Sequence, residues 1–524
     1  MTAVRALPAR RGRTRRRHLL GAMGFALAVT ACGSTVQMRQ QEAVGMSAAG
    51  GSPAGLGSGA AEAPTGLQPI TAGSSTTAGA PGSGSRNPAD ALNGVSAPNV
   101  SGRSHDNGAS PGFPKSGHGY DATTISIGVM TESDTATVAK SLGASGIDPG
   151  DTKGQANAIA ADINRRGGLF GRTVKLLFYD VPSLASAQNK DTTGQTICTY
   201  FTQDHPVIAV LSIVTVMDAP NFRSCLAKGK TILMSGSSIS IDNGEGKHLS
   251  PFFYQTLHVS WDELAPVLVK RLQAQGWFSG WNATLGRPGA GAAKVGILVD
   301  NTASGVRTGK IITAALAQMG HPGALTYSFD DPSNLSGAVL YFKGNGVTHV
   351  ISADINLLAF QMRASNQQYA PRYGITSYNA PYPNLESSGL SPAGANNGAL
   401  GVGYAPGFDV SAANDPGPTP GAAACLRALA RGGQTFSGHR LAQAFAASLC
   451  DGMEMTVRGA VAGGAISATA IQRGLFSIGA AYSSASGFGG ALAPGKLFAA
   501  GKVRDLAWVP ACSCFRYGST TTSL

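Results

Sequence analysis

The sequence predicts an α/β fold in which helices cover both faces of parallel β-sheets. Short segments rich in β-branched residues alternate along the chain with longer segments whose apolar residues follow helical spacing. The β-like segments are Thr124 to Met130, Thr173 to Tyr179, Val207 to Leu211, Thr231 to Met234, Val295 to Val299, His349 to Ser352 and Leu400 to Tyr404. This alternation is typical of βαβ units, whose crossover helices bury both faces of a parallel sheet.

Helical spacing is clearest between Thr152 and Arg166, where apolar residues recur at positions i, i+3, i+4 and i+7. These residues are Ala156, Ile159, Ala160 and Ile163. The region from Ala122 to Tyr517 is long enough for two domains of ordinary size. Ligands of such sheets bind outside the carboxyl ends of the strands, so the loops at those ends are the place to look for a site.

The first 31 residues have the pattern of an export signal. Three arginines, Arg15 to Arg17, precede the apolar run from Leu19 to Ala28, and small residues precede Cys32. The apolar run is too short to span a membrane. Val29-Thr-Ala-Cys32 resembles the bacterial lipobox, which implies acylation of Cys32 and anchoring at the outer face of the bacterial cytoplasmic membrane. The alternative is an ordinary secretory leader with a chance cysteine, and the Sec and twin-arginine routes both stay open.

The charge balance argues against a nucleic-acid partner. The formal charge of +12 includes seven arginines before Cys32 and no acidic residue there, so 12 − 7 = +5 remains for the rest of the chain. No cluster of Lys and Arg forms a stripe in the body of the sequence, which a phosphate-binding face requires.

Residues 32–121 have the composition of a flexible tether. They consist mainly of Gly, Ala, Ser, Pro and Thr and contain few large apolar side chains. Such a segment buries too little surface to offset the entropy lost on ordering. We therefore expect the folded body to begin near Ala122.

Segments of the body resemble the leucine/isoleucine/valine-binding proteins, which are type I extracytoplasmic solute-binding proteins of ABC importers. The residues from Ile159 to Leu176 include Asn164-Arg-Arg-Gly-Gly168 and resemble the opening helix, Asn-x-x-Gly-Gly turn and second strand of that family. Later segments keep the family's order. They are Val207 to Ser212, Lys230 to Ser238 and, as the first strand of a second lobe, Lys294 to Asp300.

The resemblance implies two doubly wound parallel-sheet lobes joined by a three-segment hinge. Residues 122–259 and 407–481 would form lobe 1, and residues 260–406 and 482–524 would form lobe 2. The implied function is that of a lipid-anchored substrate-binding protein, which closes around a small solute and presents it to the permease subunits of an importer. No cofactor is implied.

The resemblance also implies where the ligand binds. In that family the loops after the third and fourth strands of lobe 1 hold the ligand carboxylate, and loops of lobe 2 complete the site. The residues at the corresponding positions here are Ser212, Thr215, Ser238 and Ser240 in lobe 1 and Ser304, Asp354, Asn356, Ser377 and Tyr378 in lobe 2. Lobe 2 departs from the family, because Ser304 stands where a tyrosine is usual and Asp354-Ile-Asn356 stands in place of an aromatic run. Alternatively, the hydroxyls satisfy turn backbone and the tyrosine serves packing.

One departure from the family bears on the ligand. The acid that pairs with the ligand ammonium is replaced near Thr376-Ser-Tyr378, and burying an unpaired ammonium is costly. The sequence therefore predicts an amino acid, amide or related solute other than a plain branched-chain amino acid. Asp354 is the candidate to supply a replacement charge from a different loop.

Six cysteines follow Cys32, an even number that suggests disulfides outside the cytoplasm. Cys198 and Cys225 flank one strand-like segment, and Cys425 and Cys450 lie on another adjacent pair of segments, so we expect these two pairings. The partners of Cys512 and Cys514 stay open. The cysteines and histidines lack the spacing of a metal site.

Two other functions compete with solute uptake. One is a ligand sensor of the same fold, and the weaker one is an extracytoplasmic hydrolase. Gly108-Ala-Ser-Pro-Gly112 fits the G-x-S-x-G pattern of a hydrolase nucleophile, but it lies in the tether without the strand and helix that such a serine needs. We therefore expect a binding protein and not an enzyme.

Overall fold

A computed structural model describes residues 114–141, 147–183, 190–213, 219–237, 242–331, 334–354, 356–386 and 391–524. The signal segment, Cys32 and nearly all of the predicted tether lie outside these residues, as do Thr215, Ser238 and Ser240.

The first sheet has five parallel strands in the order β2-β1-β3-β4-β5. The strands are β1 (Thr124–Thr131), β2 (Thr173–Asp180), β3 (Ala209–Ser212), β4 (Ile232–Ser235) and β5 (Phe253–Gln255). Every residue of the last three strands is buried, as expected for strands covered on both faces. The strand order is that of a doubly wound sheet.

The second sheet has seven strands in the order β14-β13-β12-β11-β10-β8-β9, and β6 (Trp281–Asn282) and β7 (Arg287–Pro288) form a separate small hairpin. The other strands are β8 (Val295–Asp300), β9 (Leu325–Phe329), β10 (His349–Ser352), β11 (Arg372–Thr376), β12 (Leu400–Gly403), β13 (Lys502–Val509) and β14 (Cys514–Ser523).

This sheet differs from the predicted wholly parallel arrangement at one edge. Strands β8 to β12 pair in parallel, whereas β13 pairs antiparallel with both β12 and β14. Only residues 510–513 separate β13 from β14, and so short a connection permits a hairpin but not a crossover.

Fourteen α-helices occur in the described part of the chain. They are α1 (Thr135–Ser141), α2 (Thr152–Arg165), α3 (Lys190–Thr199), α4 (Pro220–Lys228), α5 (Asn243–Leu249), α6 (Trp261–Ala274), α7 (Ala303–Gln318), α8 (Leu335–Gly344), α9 (Leu357–Asn366), α10 (Pro381–Glu386), α11 (Pro406–Asp409), α12 (Pro420–Arg431), α13 (Arg440–Gly463) and α14 (Ala468–Ile478).

The last three helices return to the first sheet although they follow the strands of the second. Helices α12 and α13 pack on α2, and α13 also contacts β3. Their buried side chains, such as Leu429 and Leu449, share a hydrophobic core with Ile125 and Ile159. We refer to the first sheet with its helices, including α12 to α14, as lobe 1, and to the second sheet with its helices as lobe 2.

The chain therefore passes between the lobes three times. The crossing segments are residues 256–260 after β5, residues 404–419 after β12 and residues 479–501 before β13. This connectivity gives a two-lobed fold whose lobes are each discontinuous in sequence.

The Asn-x-x-Gly-Gly motif ends α2 and fixes the start of β2. Asn164 donates from Nδ2 to the carbonyl of Val174 at 2.9 Å and accepts from its N–H at 2.7 Å. Gly167 and Gly168 have φ values of 103° and 67°, and a Cβ on Gly168 would lie 2.0 Å from the carbonyl oxygen of Arg172. Other residues are strained at positive φ, which favours glycine at both positions, and at Gly168 there is also no room for a side chain.

Residues 114–121 correct the predicted end of the tether. The buried Arg172 donates to the carbonyl oxygens of Pro114 at 2.9 Å and Asp121 at 2.7 Å. His118 hydrogen-bonds Thr231 at 2.9 Å, and Tyr120 packs against the core of lobe 1. The sequence analysis did not predict that residues 114–121 are ordered, because the segment is rich in Gly and Ser. The residues that hold it, Arg172 and Thr231, are distant in the chain.

The cysteines lie in pairs. Cys198 and Cys225, with Cα atoms 6.1 Å apart, join α3 to α4, and Cys425 and Cys450, 5.9 Å apart, join α12 to α13. Cys512 and Cys514 are also within bonding distance, 5.2 Å between Cα atoms. All six sulfur atoms are therefore placed for disulfide formation.

Candidate functional site

The carboxyl ends of the central strands carry small polar residues. In lobe 1, β3 ends at Ser212 and β4 ends at Ser235; in lobe 2, β10 ends at Ser352. The Ser212 side chain is buried, and its Oγ has no hydrogen-bond partner among the described residues. A buried hydroxyl without a partner at a strand end is a donor available to a ligand.

The two lobes meet through Asp242, which follows β4. Its Oδ2 accepts from Ser304 Oγ at 2.7 Å and from Arg307 Nε at 2.9 Å, and both partners lie on α7 after β8. Its other oxygen caps α5 by accepting from the N–H of Glu245 at 3.0 Å. The loops at the carboxyl ends of β4 and β8 are thus in direct contact.

The surroundings of Asp242 favour its ionised form. Burial disfavours its charge, but the hydrogen bonds from Arg307 and Ser304 outweigh that cost and lower its pKa. Arg307 also lies 3.6 Å from Glu245, which pairs with Arg223 at 3.1 Å. The sequence analysis selected Ser304 but missed Asp242, whose signal is Asp242-Asn-Gly-Glu245, a pattern typical of a helix N-terminus.

Asp354 and Asn356 follow β10 and form a small polar turn. Asp354 is buried and accepts from the N–H of Asn356 at 2.9 Å, from its Nδ2 at 3.2 Å and from Ser352 Oγ at 3.3 Å. Burial raises the pKa of Asp354 to about 6, although the Asn356 bonds act against this. The structure thus brings two of the predicted lobe 2 residues together at one strand end.

Ser377 and Tyr378 lie in a buried cluster at the crossing segments. Ser377 Oγ donates to Asp409 Oδ2 at 2.7 Å and accepts from the N–H of Tyr404 at 2.8 Å. Tyr378 donates to the carbonyl of Val259 at 2.6 Å. Both side chains are at most 1% exposed, so their polar atoms serve the first and second crossing segments.

The ring of Tyr378 is sandwiched between two other rings. His258 stacks on one side with a centroid distance of 4.4 Å, and Trp261 stacks at 5.2 Å. His258 Nδ1 also hydrogen-bonds Tyr404 at 2.8 Å, and burial lowers the pKa of His258 to about 3. The neutral imidazole therefore belongs to a packed hinge core.

Two buried carboxylates that the sequence analysis missed anchor the crossing segments. Asp409 accepts from Ser377, from Tyr517 and from the N–H of Ala405, and burial raises its pKa to about 7. Its Oδ1 has no hydrogen-bond partner among the described residues. Nothing in the local sequence around Asp409 signals its burial.

Asp451 plays the corresponding part for the third crossing segment. It accepts from Tyr482 at 2.8 Å, from the N–H of Ala485 at 2.8 Å, and from Ser484 and Ser486 at 2.7 Å. Burial raises its pKa. Its sequence signal is an acid within the apolar run Leu449-Cys-Asp-Gly-Met453 of a long helix.

Within the described ranges no group of three or more His, Cys, Asp or Glu side chains is placed to hold a metal ion. Among those same residues, no helix combines the length and hydrophobicity needed to cross a bilayer.

The fold is shared with solved structures, whereas no protein-family model and no curated protein sequence matches the chain. An ABC transporter solute-binding protein from R. palustris in complex with 4-hydroxybenzoate has a TM-score of 0.53 and 14% identity over 76% of this chain and 97% of that one. The solute-binding protein from Rhodopseudomonas palustris HaA2 in complex with p-hydroxybenzoic acid gives the same values. A periplasmic binding protein type 1 from Bordetella pertussis Tohama I has a TM-score of 0.51 and 14% identity over 75% and 99%.

Proposed function

We propose that this chain, which has the two-lobed fold of the type I solute-binding proteins of ABC importers, is an extracytoplasmic protein that binds a small solute between its lobes. The observation that carries the proposal is the contact of Asp242 with Ser304. It joins loops from the carboxyl ends of both parallel sheets, and ligands of such sheets bind at those ends.

The proposed ligand residues come from both lobes. They are Ser212, Thr215, Ser238 and Ser240 in lobe 1 and Ser304, Asp354 and Asn356 in lobe 2. Ser377 and Tyr378 were expected to contact the ligand. We now propose that they hold the crossing segments, because they are fully buried and bonded to Asp409 and Val259.

The chemistry of these groups suits a solute with a carboxylate or amide group. Serine and threonine hydroxyls donate to an anion or a carbonyl, and Asp354 accepts from an ammonium, amide or hydroxyl donor. The solute class is therefore an amino acid, an amide or a related compound. The 4-hydroxybenzoate named for one structural neighbour makes aromatic acids a second class to test.

Export and anchoring complete the proposal. We propose that Cys32 carries a lipid on the outer face of the cytoplasmic membrane, that ABC importer permease subunits receive the solute, and that the three cysteine pairs are disulfides. The lipobox-like Val29 to Cys32 and the placement of the six cysteine sulfurs support these statements.

The test is a thermal melt of the exported protein against leucine, glutamine, a dipeptide and 4-hydroxybenzoate, followed by calorimetry. A ligand that binds only the native state raises the melting temperature with its saturation. We expect Asp354→Asn to weaken the binding of any hit by roughly tenfold. Asp191→Asn, an exposed acid in the first turn of α3, is the matched control and leaves affinity unchanged.

Three results would contradict the proposal. Hydrolysis of any screened compound would favour an enzyme. If no compound on the panel binds, the solute-binding proposal is contradicted. If a compound binds with the same affinity to the Asp354→Asn protein, Asp354 and the proposed site between the lobes do not hold it.

A further inference from the structure

A cavity separate from the strand-end loops lies in lobe 1 among α2, α12 and α13. Its volume is about 240 Å³, and none of the proposed ligand residues lines it. Its walls carry four arginines and, besides Asp451, two further carboxylates, namely Arg166, Arg427, Arg431, Arg458, Asp162 and Glu454. Its chemistry is therefore distinct from that of the hydroxyl-rich strand ends.

The two carboxylates are already neutralised by some of these arginines. Asp162 accepts from Arg431 Nε at 2.9 Å and from Arg166 Nε at 3.2 Å, and the neighbouring Arg165 donates to it at 3.1 Å. Glu454 pairs with Arg166. Burial of Asp162 opposes its ionisation, but these partners prevail and lower its pKa.

Two guanidinium groups of the cavity have no such partner. Neither Arg427 nor Arg458 forms an ion pair with a carboxylate in the described part of the chain. Arg458 is half-buried, and its guanidinium lies 5.2 Å from the centroid of the Tyr482 ring, which holds it in place. Asp451 also borders the cavity, but its oxygens accept from the groups of residues 482–486.

We propose that this cavity binds a phosphate-type oxyanion through Arg427 and Arg458. The planar guanidinium group donates in pairs to such oxyanions. Partial burial strengthens the bonds from Arg458, whereas Arg427 is exposed. The volume of about 240 Å³ is sufficient for a small oxyanion. The inference does not depend on the proposed solute site, because no residue is shared between them.

The test is calorimetry with inorganic phosphate at constant ionic strength, which fixes the nonspecific screening of surface charge. We expect saturable binding to the unaltered protein and a loss of about tenfold for each arginine in Arg427→Gln/Arg458→Gln. The control Arg287→Gln/Arg516→Gln removes the same charge from two exposed positions of lobe 2 and retains the wild-type affinity.

A second variant covers the chance that losing Arg458 disturbs its packing on Tyr482. Ala424 is exposed on α12 and lines the cavity, so Ala424→Glu introduces a competing carboxylate at a position that tolerates a helix former. It is expected to abolish phosphate binding while the melt stays cooperative.

The outcomes separate clearly. Absence of saturable phosphate binding, or equal affinity in the arginine double variant and its control, overturns the proposal. Sedimentation with phosphatidylglycerol vesicles distinguishes the source of the phosphate group. Vesicle binding that depends on Arg427 and Arg458 assigns the site to a lipid headgroup. Calorimetric binding of phosphate without vesicle binding assigns it to a free ion.

Discussion

The carboxylate of Asp242 and the hydroxyl of Ser304, 2.7 Å apart, join the two lobes at the carboxyl ends of their sheets. Asp242 and Ser304 are both buried, so this contact is shielded from water, whereas the Arg307 side chain that also bonds Asp242 is partly exposed. Separation of the lobes at this point would break both bonds, so the bonds favour the arrangement seen here.

Asp242→Asn should shift the protein toward an open form. The asparagine retains the cap on α5, because Asn and Asp cap helices equally well, but it loses the ion pair with Arg307. We expect a larger radius of gyration in X-ray scattering without ligand and weaker solute binding by roughly tenfold. Asp151→Asn alters only the cap of α2 and serves as the control. An unchanged radius of gyration in Asp242→Asn would show that the bonds of Asp242 to Ser304 and Arg307 do not hold the lobes together.

Asp409 should make the protein less stable as pH rises. Its pKa is raised to about 7 in the native state, against about 4 unfolded. The native state then binds the extra proton between about pH 4 and pH 7, so unfolding free energy falls across that window and levels off above it.

The decrease due to Asp409 is on the order of a few kcal/mol. Asp409→Asn keeps an acceptor for Ser377 and Tyr517 and places its amide on the side of the unpartnered Oδ1. Urea unfolding at pH 5 and pH 8 should show a smaller difference in the variant. An identical pH slope in both proteins would refute this assignment.

The tether should be dispensable only up to Phe113. A chain beginning at Pro114 is expected to melt like the full mature protein. A chain beginning at Ala122 loses both carbonyl acceptors of buried Arg172 and should be less stable by about 2 to 5 kcal/mol. Calorimetric melts of the two truncated chains check this, and equal melting temperatures would show that residues 114–121 contribute nothing.

Each long-range disulfide should stabilise lobe 1. The pairs Cys198–Cys225 and Cys425–Cys450 close loops with sequence separations of 27 and 25 residues, which corresponds to about 3 kcal/mol each. Peptide mapping without reduction should recover both pairs from exported protein. Free thiols at these four positions, or a melt unaffected by reductant, would contradict the prediction.

Lipidation should depend on Cys32. Intact mass of the exported protein is expected to show a diacylated chain beginning at that residue, and Cys32→Ala should release the protein from the membrane fraction. The substitution Ser34→Ala, two residues later, leaves the anchor in place as a control. A Cys32→Ala protein that sediments with membranes would exclude this anchor.

The sequence predicted strands where apolar, β-branched residues run together. The predicted segment at His349 to Ser352 coincides with β10, and the others lie within two residues of their strands. It missed β5, β9, β11, β13, β14 and the two short strands of the β6–β7 hairpin. Of these, β5 has three residues, β9 alternates in burial, and β14 consists mainly of polar residues. The edge strands β9 and β14 lack a continuous apolar pattern because they are partly exposed to solvent. The central strand β11 is buried, but Arg372 and Gly374 interrupt its apolar run.

The site was harder to predict because its contacts join distant segments. Ser212, Ser304 and Asp354 were selected because the resemblance places them in the ligand-binding loops. The bond between Asp242 and Ser304 spans 62 residues, and Tyr378 meets Val259 across 119 residues, so neither is visible in a local pattern. Tyr378 therefore looked like a ligand contact in the sequence although it lies in the hinge core.

The return of α12 to α14 to the first sheet has a consequence for biogenesis. The strands of that sheet are complete at Gln255, yet the helices that cover α2 and β3 begin only at Pro420. During synthesis the apolar surface around Ile125 and Ile159 stays uncovered until more than half of the folded body has been synthesised after it. Such distant pairing slows folding and leaves the nascent lobe prone to aggregation, so a chain cut short before α12 should need chaperone protection.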